Sequence, residues 1–278
     1  MNAQIAVAAS SFHFGFPALV YAHFKRFVRP DEAVVEWTTL RQDDPALARQ
    51  RLLAALAAGP RPTAVVGICI HPDEAALAAF ESAGIPVVLV DEEAEGASTV
   101  AADNFAGGYI AGVHLARAGR RAVAVVCGDR RVSGGYNAIQ RVSGFAEAMA
   151  EHQVPFAPSE VLEVREYTSE DGMSAMSRIL AEGREVDAVF CAAGDACAAG
   201  LLAVARERGV RVPEQLAVVG YDDNPVAAGS DPPLTTVRQP VERIAREAHR
   251  LATAAAADVL LRPRTVLFEP TLVRRGSG

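Results

Sequence analysis

Residues 99–127 read TVAADNFAGGYIAGVHLARAGRRAVAVVC. The segment opens on a short apolar run, 99–102, and closes on a second, 122–127. Both have the length and composition of buried strands. Between them, 105–118 is rich in alanine and aliphatic side chains and long enough for a helix. Asp103 and Asn104 stand where an N-cap belongs, and Gly119 stands where a left-handed residue closes a helix most easily. Strand, helix, strand, with both strands apolar, is a βαβ unit of a parallel sheet covered by helices on both faces.

The same rhythm runs outward in both directions. Further strands are expected at 5–9, 33–39, 64–70, 86–90, 160–164, 187–193 and 216–221. Further helices are expected at 16–28, 45–58, 73–83, 138–152, 169–182, 195–208 and 240–260. Asp44-Pro45 reads as an N-cap followed by a first-turn proline, Gly84 and Gly209 as helix ends, and Asp195 as a cap for 195–208. Strict alternation gives an α/β fold of doubly wound parallel sheets. The two halves share the rhythm, and 278 residues leave room for two similar lobes.

Composition excludes several classes. The net charge is −7, and Lys25 is the only lysine. A bare nucleic-acid-binding domain carries a basic excess instead. No apolar run approaches the roughly 18–20 residues of a membrane span, and no basic and apolar leader precedes the first strand, so a cytoplasmic protein is expected. Cys69, Cys127, Cys191 and Cys197 lack zinc-ligand spacing and read as reduced core thiols; no metal and no cofactor is expected. The chain has no GxSxG elbow, no GxxxxGK phosphate loop, no HExxH and no GxGxxG after a strand, so no enzyme is expected. Ser133-Gly-Gly135 reads as a flexible loop rather than a phosphate cradle.

Ligands of open α/β sheets bind beyond the carboxyl ends of the strands. The polar residues there are Ser10, Ser11 and His13; His71; Asp91; Asp103 and Asn104; Asp129 to Asn137; Asp195; and Asp222 with Asp223.

Six segments in order carry a resemblance. Val100 to Tyr109, continuing through Gly119-Arg120, is similar to a DNxxGGYxAxxxLxxxGHR pattern. Arg141 to Phe145 is similar to RxxGF. Asp187 to Phe190, with Asp195 and Gly200, is similar to DAVF followed by DxxAxGA. Val212 to Asp223 is similar to VPxxxxVxGYDD, Pro232 to Pro240 to PPLTTVRQP, and Leu272 to Ser277 to LVxRxS. Together they resemble the LacI/GalR family of bacterial transcription regulators, well over 60–278 and poorly before. The resemblance implies a periplasmic-binding-protein-like fold of type I. Its two lobes are joined by three crossovers, with 1–118 plus 239–262 in one and 119–238 plus 263–278 in the other. It implies a cytoplasmic homodimer that binds a sugar, polyol or nucleobase-like effector in a cleft, without chemistry. Operator DNA would be bound only through a helix-turn-helix head missing from this chain.

In that family's pattern Arg141 holds the effector, Asp222 accepts hydrogen bonds from it, and Tyr167 is an aromatic platform, with Asn104 and Gln239 at further cleft positions. Residue chemistry fits: arginine offers a planar fork of donors and aspartate only acceptors, and an aromatic face suits the C–H side of a sugar. His13, His71, Phe14 and Asn137 complete the expected ligand set. Phe14 stands where relatives carry the asparagine of an NPFF-like segment, and Gly194 where sugar-responsive relatives often carry asparagine, so the effector is not a simple hexose. The alternatives are an exported sugar-binding protein of a transporter or chemoreceptor and a head-less cytosolic sensor.

Overall fold

The computed structural model describes residues 3–39, 45–129, 136–183, 185–257 and 262–278. The chain divides into two compact units. The first takes Met1–Ala102 and Pro240–Phe268, and the second Asp103–Arg131, Asn137–Gln239 and Glu269–Gly278.

The first unit runs β1 (Ala3–Ala9), α1 (Gly15–Phe24), β2 (Glu32–Thr38), α2 (Pro45–Ala58), β3 (Ala64–Ile68), α3 (Glu74–Ser82), β4 (Val87–Val90) and β5 (Ser98–Ala102). The second begins with α4 (Asn104–Arg117), β6 (Val123–Gly128), α5 (Tyr136–Glu151), β7 (Val161–Val164) and α6 (Ser169–Ala181). It continues through β8 (Ala188–Cys191), α7 (Asp195–Glu207), β9 (Ala217–Asp222), a short α8 (Pro225–Gly229) and β10 (Thr235–Arg238). The chain then returns to the first unit for α9 (Val241–Ala257) and β11 (Thr265–Phe268), and ends in the second with β12 (Thr271–Val273).

The two sheets repeat one topology. The first orders its strands β2-β1-β3-β4-β5-β11, the second β7-β6-β8-β9-β10-β12. All pairs are parallel except β12 against β10. The order reverses between β1 and β3, and again between β6 and β8. At such a switch point neighbouring loops part, which is where doubly wound sheets hold ligands.

Alternation of side chains along each strand builds a core on both faces of each sheet. In β1, Ile5, Val7 and Ala9 pack with α1 and α9, while Ala6 and Ala8 pack with Leu52 of α2 and Phe80 of α3. In β6, Ala124 and Val126 face α6 and α7, while Val123, Val125 and Cys127 face α4 and α5. All four cysteines are buried and unbridged, as their apolar surroundings suggest.

Gly84, Gly119 and Gly209 close α3, α4 and α7 in left-handed backbone, with φ of 61°, 82° and 69°. Asp103 caps α4 by accepting the Ala106 N–H at 2.9 Å. Asp44, expected as the cap of α2, lies outside the described residues, as do 130–135 with Ser133-Gly-Gly135.

Three expectations need correction. The lobe boundaries at 118/119 and 262/263 move to 102/103 and 268/269: α4 packs on β8, β10 and β12, and β11 pairs with β5. The helix expected over 16–28 ends at Phe24. Asp195 does not cap α7. Gly194 occupies that position, and the Asp195 carboxyl accepts from Thr236 Oγ1 at 2.6 Å and the Asn224 N–H at 2.9 Å.

Candidate functional site

The carboxyl edge of the second sheet carries a bonded polar cluster. Arg141 projects from α5 and is buried. Its Nε donates to Asn104 Oδ1 at 2.7 Å and its NH1 to the Ala192 carbonyl, just past β8, at 2.9 Å. Its guanidinium lies 3.8 Å from the centre of the Tyr221 ring. Tyr221 is wholly buried, and its hydroxyl donates to the same Asn104 Oδ1 at 3.2 Å. Asn104 Nδ2 donates to Asn137 Oδ1 at 3.2 Å. Four elements thus aim one cation, and a stacked cation in a low-dielectric site gains more from its partners than one in water.

Asp222, the last residue of β9, has φ 102°, a conformation non-glycine residues adopt only when the surroundings impose it. Its Oδ1 accepts from Gln239 Nε2 at 2.8 Å. Because a carboxylate only accepts, this bond fixes the carboxamide orientation and turns Gln239 Oε1 the other way. Gln239 is 3% exposed, and that Oε1 has no hydrogen-bond partner among the described residues. Burial pushes the Asp222 carboxyl up from its ordinary range, while the Arg141 charge and the Gln239 bond pull it back. Behind it, burial and then the Asp222 charge raise Asp195 to about 8.

Two glycines of the DNxxGGY segment make the cluster possible. A Cβ on Gly107 would overlap the Tyr221 hydroxyl, and one on Gly108 the Arg141 carbonyl. Tyr167, between β7 and α6, lies with its hydroxyl over Gly128 at the end of β6.

Of the nine expected ligand residues, Arg141, Asn104, Asn137, Asp222 and Gln239 are joined in this cluster or to one another, and Tyr167 stands at the same sheet edge. The other three stand at the carboxyl edge of the first sheet. His13 is exposed on the β1–α1 loop, its N–H donating to Ser11 Oγ at 3.2 Å. Phe14 precedes α1 and is 75% exposed. His71 follows β3, with Nδ1 at 3.3 Å from Glu92 Oε2, a bond that raises its pKa against the effect of burial. Tyr221 and the Ala192 carbonyl were not singled out from sequence. The tyrosine was open to notice, being adjacent to Asp222 in the GYDD segment; a backbone acceptor leaves no sequence signal.

Among the described residues no group of three or more His, Cys, Asp or Glu side chains is placed to hold a metal, and no helix is long and apolar enough to cross a membrane.

Known proteins share this arrangement of elements. The family described as periplasmic binding protein-like domain matches residues 113–278. The HTH-type transcriptional regulator CelR of Thermobifida fusca is 33% identical over 230 residues, which is 81% of this chain and 66% of that protein. A solved transcriptional regulator CelR–cellobiose complex superposes with a TM-score of 0.85 at 29% identity, over 99% of this chain and 84% of that one. The lac repressor dimer bound to operator and the anti-inducer ONPF gives 0.85 at 22% identity, over 100% and 94%, a likeness of fold. The chain spans 61% to 67% of the length of the first curated relatives it matches. The chain belongs to the periplasmic binding protein-like family and is similar over most of its length to the cores of LacI-type transcriptional regulators.

Proposed function

We propose that this core senses a saccharide larger than a hexose, of the cellobiose kind, at the carboxyl edge of the second sheet. The observation that carries the reading is the buried Gln239 Oε1 beside Asp222, which no described residue partners. An enclosed acceptor without a donor costs about 1–3 kcal/mol, which a ligand hydroxyl would recover. Asp222 and Gln239 then accept from neighbouring hydroxyls, Arg141 donates to a sugar oxygen, and Tyr167 presents its ring to the C–H face. Asn104 and Asn137 act through Arg141, since the Asn104 carbonyl oxygen already serves two donors. Arginine does not release its proton, so Arg141 holds the effector as a fixed donor.

The CelR–cellobiose complex supports the choice of ligand, and the similarity to HTH-type transcriptional regulators supports the wider role. In that role the whole protein is a dimer whose DNA affinity changes with effector. The coupling rests on the effector's differential affinity for two conformations and is worth about 5–150-fold. Sedimentation is expected to give a dimer.

Thermal denaturation with cellobiose, glucose and adenosine tests the site. Cellobiose at 100 times its Kd is expected to add about 2.7 kcal/mol of stability, glucose less, and adenosine nothing. Arg141→Ala and Asp222→Ala are each expected to abolish the shift. A cellobiose shift that survives both substitutions refutes the assignment.

A further inference from the structure

Tyr167 is held in left-handed backbone, φ 60°, a conformation a bulky residue keeps only under constraint. The constraint comes from both sides. The N–H groups of Glu166 and Thr168 both donate to Asp171 Oδ2, at 2.7 and 3.4 Å, and Thr168 Oγ1 accepts the Asp171 N–H at 3.3 Å. One carboxylate of the first turn of α6 therefore clasps the chain immediately before and after the tyrosine.

The ring has a seat as well. Gly128 is the last residue of β6, buried, and paired in register with Val164, three residues before Tyr167. A Cβ on Gly128 would overlap the tyrosine hydroxyl and crowd Cζ. Gly128 is not among the glycines with positive φ. The position is therefore bare to make room for the ring, and its backbone would admit alanine. The partly buried tyrosine also packs against the apolar cluster of β7, α6 and α7.

We propose that Gly128 and Asp171 are positioning residues that fix the Tyr167 ring as a preformed platform for the C–H face of a pyranose. The proposal rests on the saccharide reading above. An aromatic face stacked on a ligand is worth about 0.5–1.5 kcal/mol beyond area burial. That gain is realised in full only if the ring need not be ordered at the moment of binding. Asp171 also caps α6, so its removal alters stability. Affinity must therefore be read against a background lacking the ring.

Calorimetric titration with cellobiose tests this in wild type, Gly128→Ala, Asp171→Ala, Tyr167→Ala and the two double variants carrying Tyr167→Ala. Each of the three single variants is expected to bind about three- to tenfold more weakly. In the Tyr167→Ala background, adding Gly128→Ala or Asp171→Ala is expected to cost less than about twofold more, because both act through the missing ring. Equal losses with and without the tyrosine, or undiminished binding in the singles, overturn the proposal. If Gly128→Ala does not fold, Asp171→Ala, at a partly exposed site, decides the same question. Loss of binding in Arg141→Ala with normal binding in Tyr167→Ala refutes the platform alone. Failure of the wild type to bind cellobiose refutes the saccharide reading and this proposal together.

Discussion

Single carboxyl groups at the sheet edge set a pH dependence that can be worked out. Asp195 is wholly buried and titrates near 8, against an ordinary value of 3.8, through burial first and the Asp222 charge second. Between those two values the folded chain holds a proton there that the unfolded chain has released. Stability therefore falls as pH rises, since the state that binds more protons is favoured at low pH. The contribution is fully present below about pH 4 and is gone above about pH 8. Asp195→Asn mimics the protonated acid and can still meet Thr236 and the Asn224 N–H. The stability of wild type relative to Asp195→Asn is expected to fall with pH between 5 and 8, by at most about 1.4 kcal/mol per unit. Urea denaturation at three pH values checks it. A difference that does not change with pH would mean that Asp195 is ionised throughout.

Helices of the second unit meet at glycines, and the pairing is reciprocal. Where α4 crosses α5, a Cβ on Gly108 would strike the Arg141 carbonyl, and one on Gly144 the Phe105 carbonyl. Where α6 crosses α7, Gly172 faces the Cys197 carbonyl and Gly200 the Ser169 carbonyl in the same way. The α4–α5 crossing bears directly on the site because Arg141 is itself part of it. Gly108→Ala and Gly144→Ala are each expected to cost about 1–3 kcal/mol through overpacking, partly offset by alanine's better helix propensity. Each is expected to weaken cellobiose binding at least about tenfold by shifting Arg141. The double variant is expected to lose less than the sum, since helices parted by one Cβ admit the second. Additive losses in urea midpoints would show that the two positions act independently. The GG pair was visible in sequence, but the reason for it was not. Periodicity identifies a helix and leaves open which backbone approaches it. Likewise Arg141 and Asp222 were legible through their segments. Tyr221 stands in the same GYDD segment as Asp222, but an aromatic inside a buried strand reads equally as ordinary core.

At the scale of the molecule, alternation revealed the doubly wound sheets because nearly every strand is apolar on both faces. It did not reveal β10, β11 and β12. These are three or four residues long, and β11 exposes alternate residues like an edge. Nor could it assign α4, since a crossover helix carries no mark of the sheet it will cover. The chain returns to the first unit after Gln239, so that unit is not contiguous. Its face formed by β1, β3, β4 and β5 is closed by Ile244, Ala245, Ala248, Leu251 and Ala252 of α9. Burial of the isoleucine and leucine alone is worth about 1.5–3 kcal/mol each, against a total domain stability of about 5–15 kcal/mol. A fragment ending at Gln239 keeps β1 to β5 and α1 but uncovers the part of that face under α9 and lacks β11. The single tryptophan, Trp37 on β2, stacks on Phe80 of α3 and reports on this unit without labelling. The fragment is expected to show red-shifted, solvent-exposed Trp37 emission and no cooperative urea transition by that probe, whereas the full chain is expected to show the bluer emission of a partly buried Trp37 and a transition. Native-like Trp37 emission and cooperative unfolding in the fragment would mean that α9 is dispensable to the first unit, and that the interleaving of the chain has no part in holding the unit together.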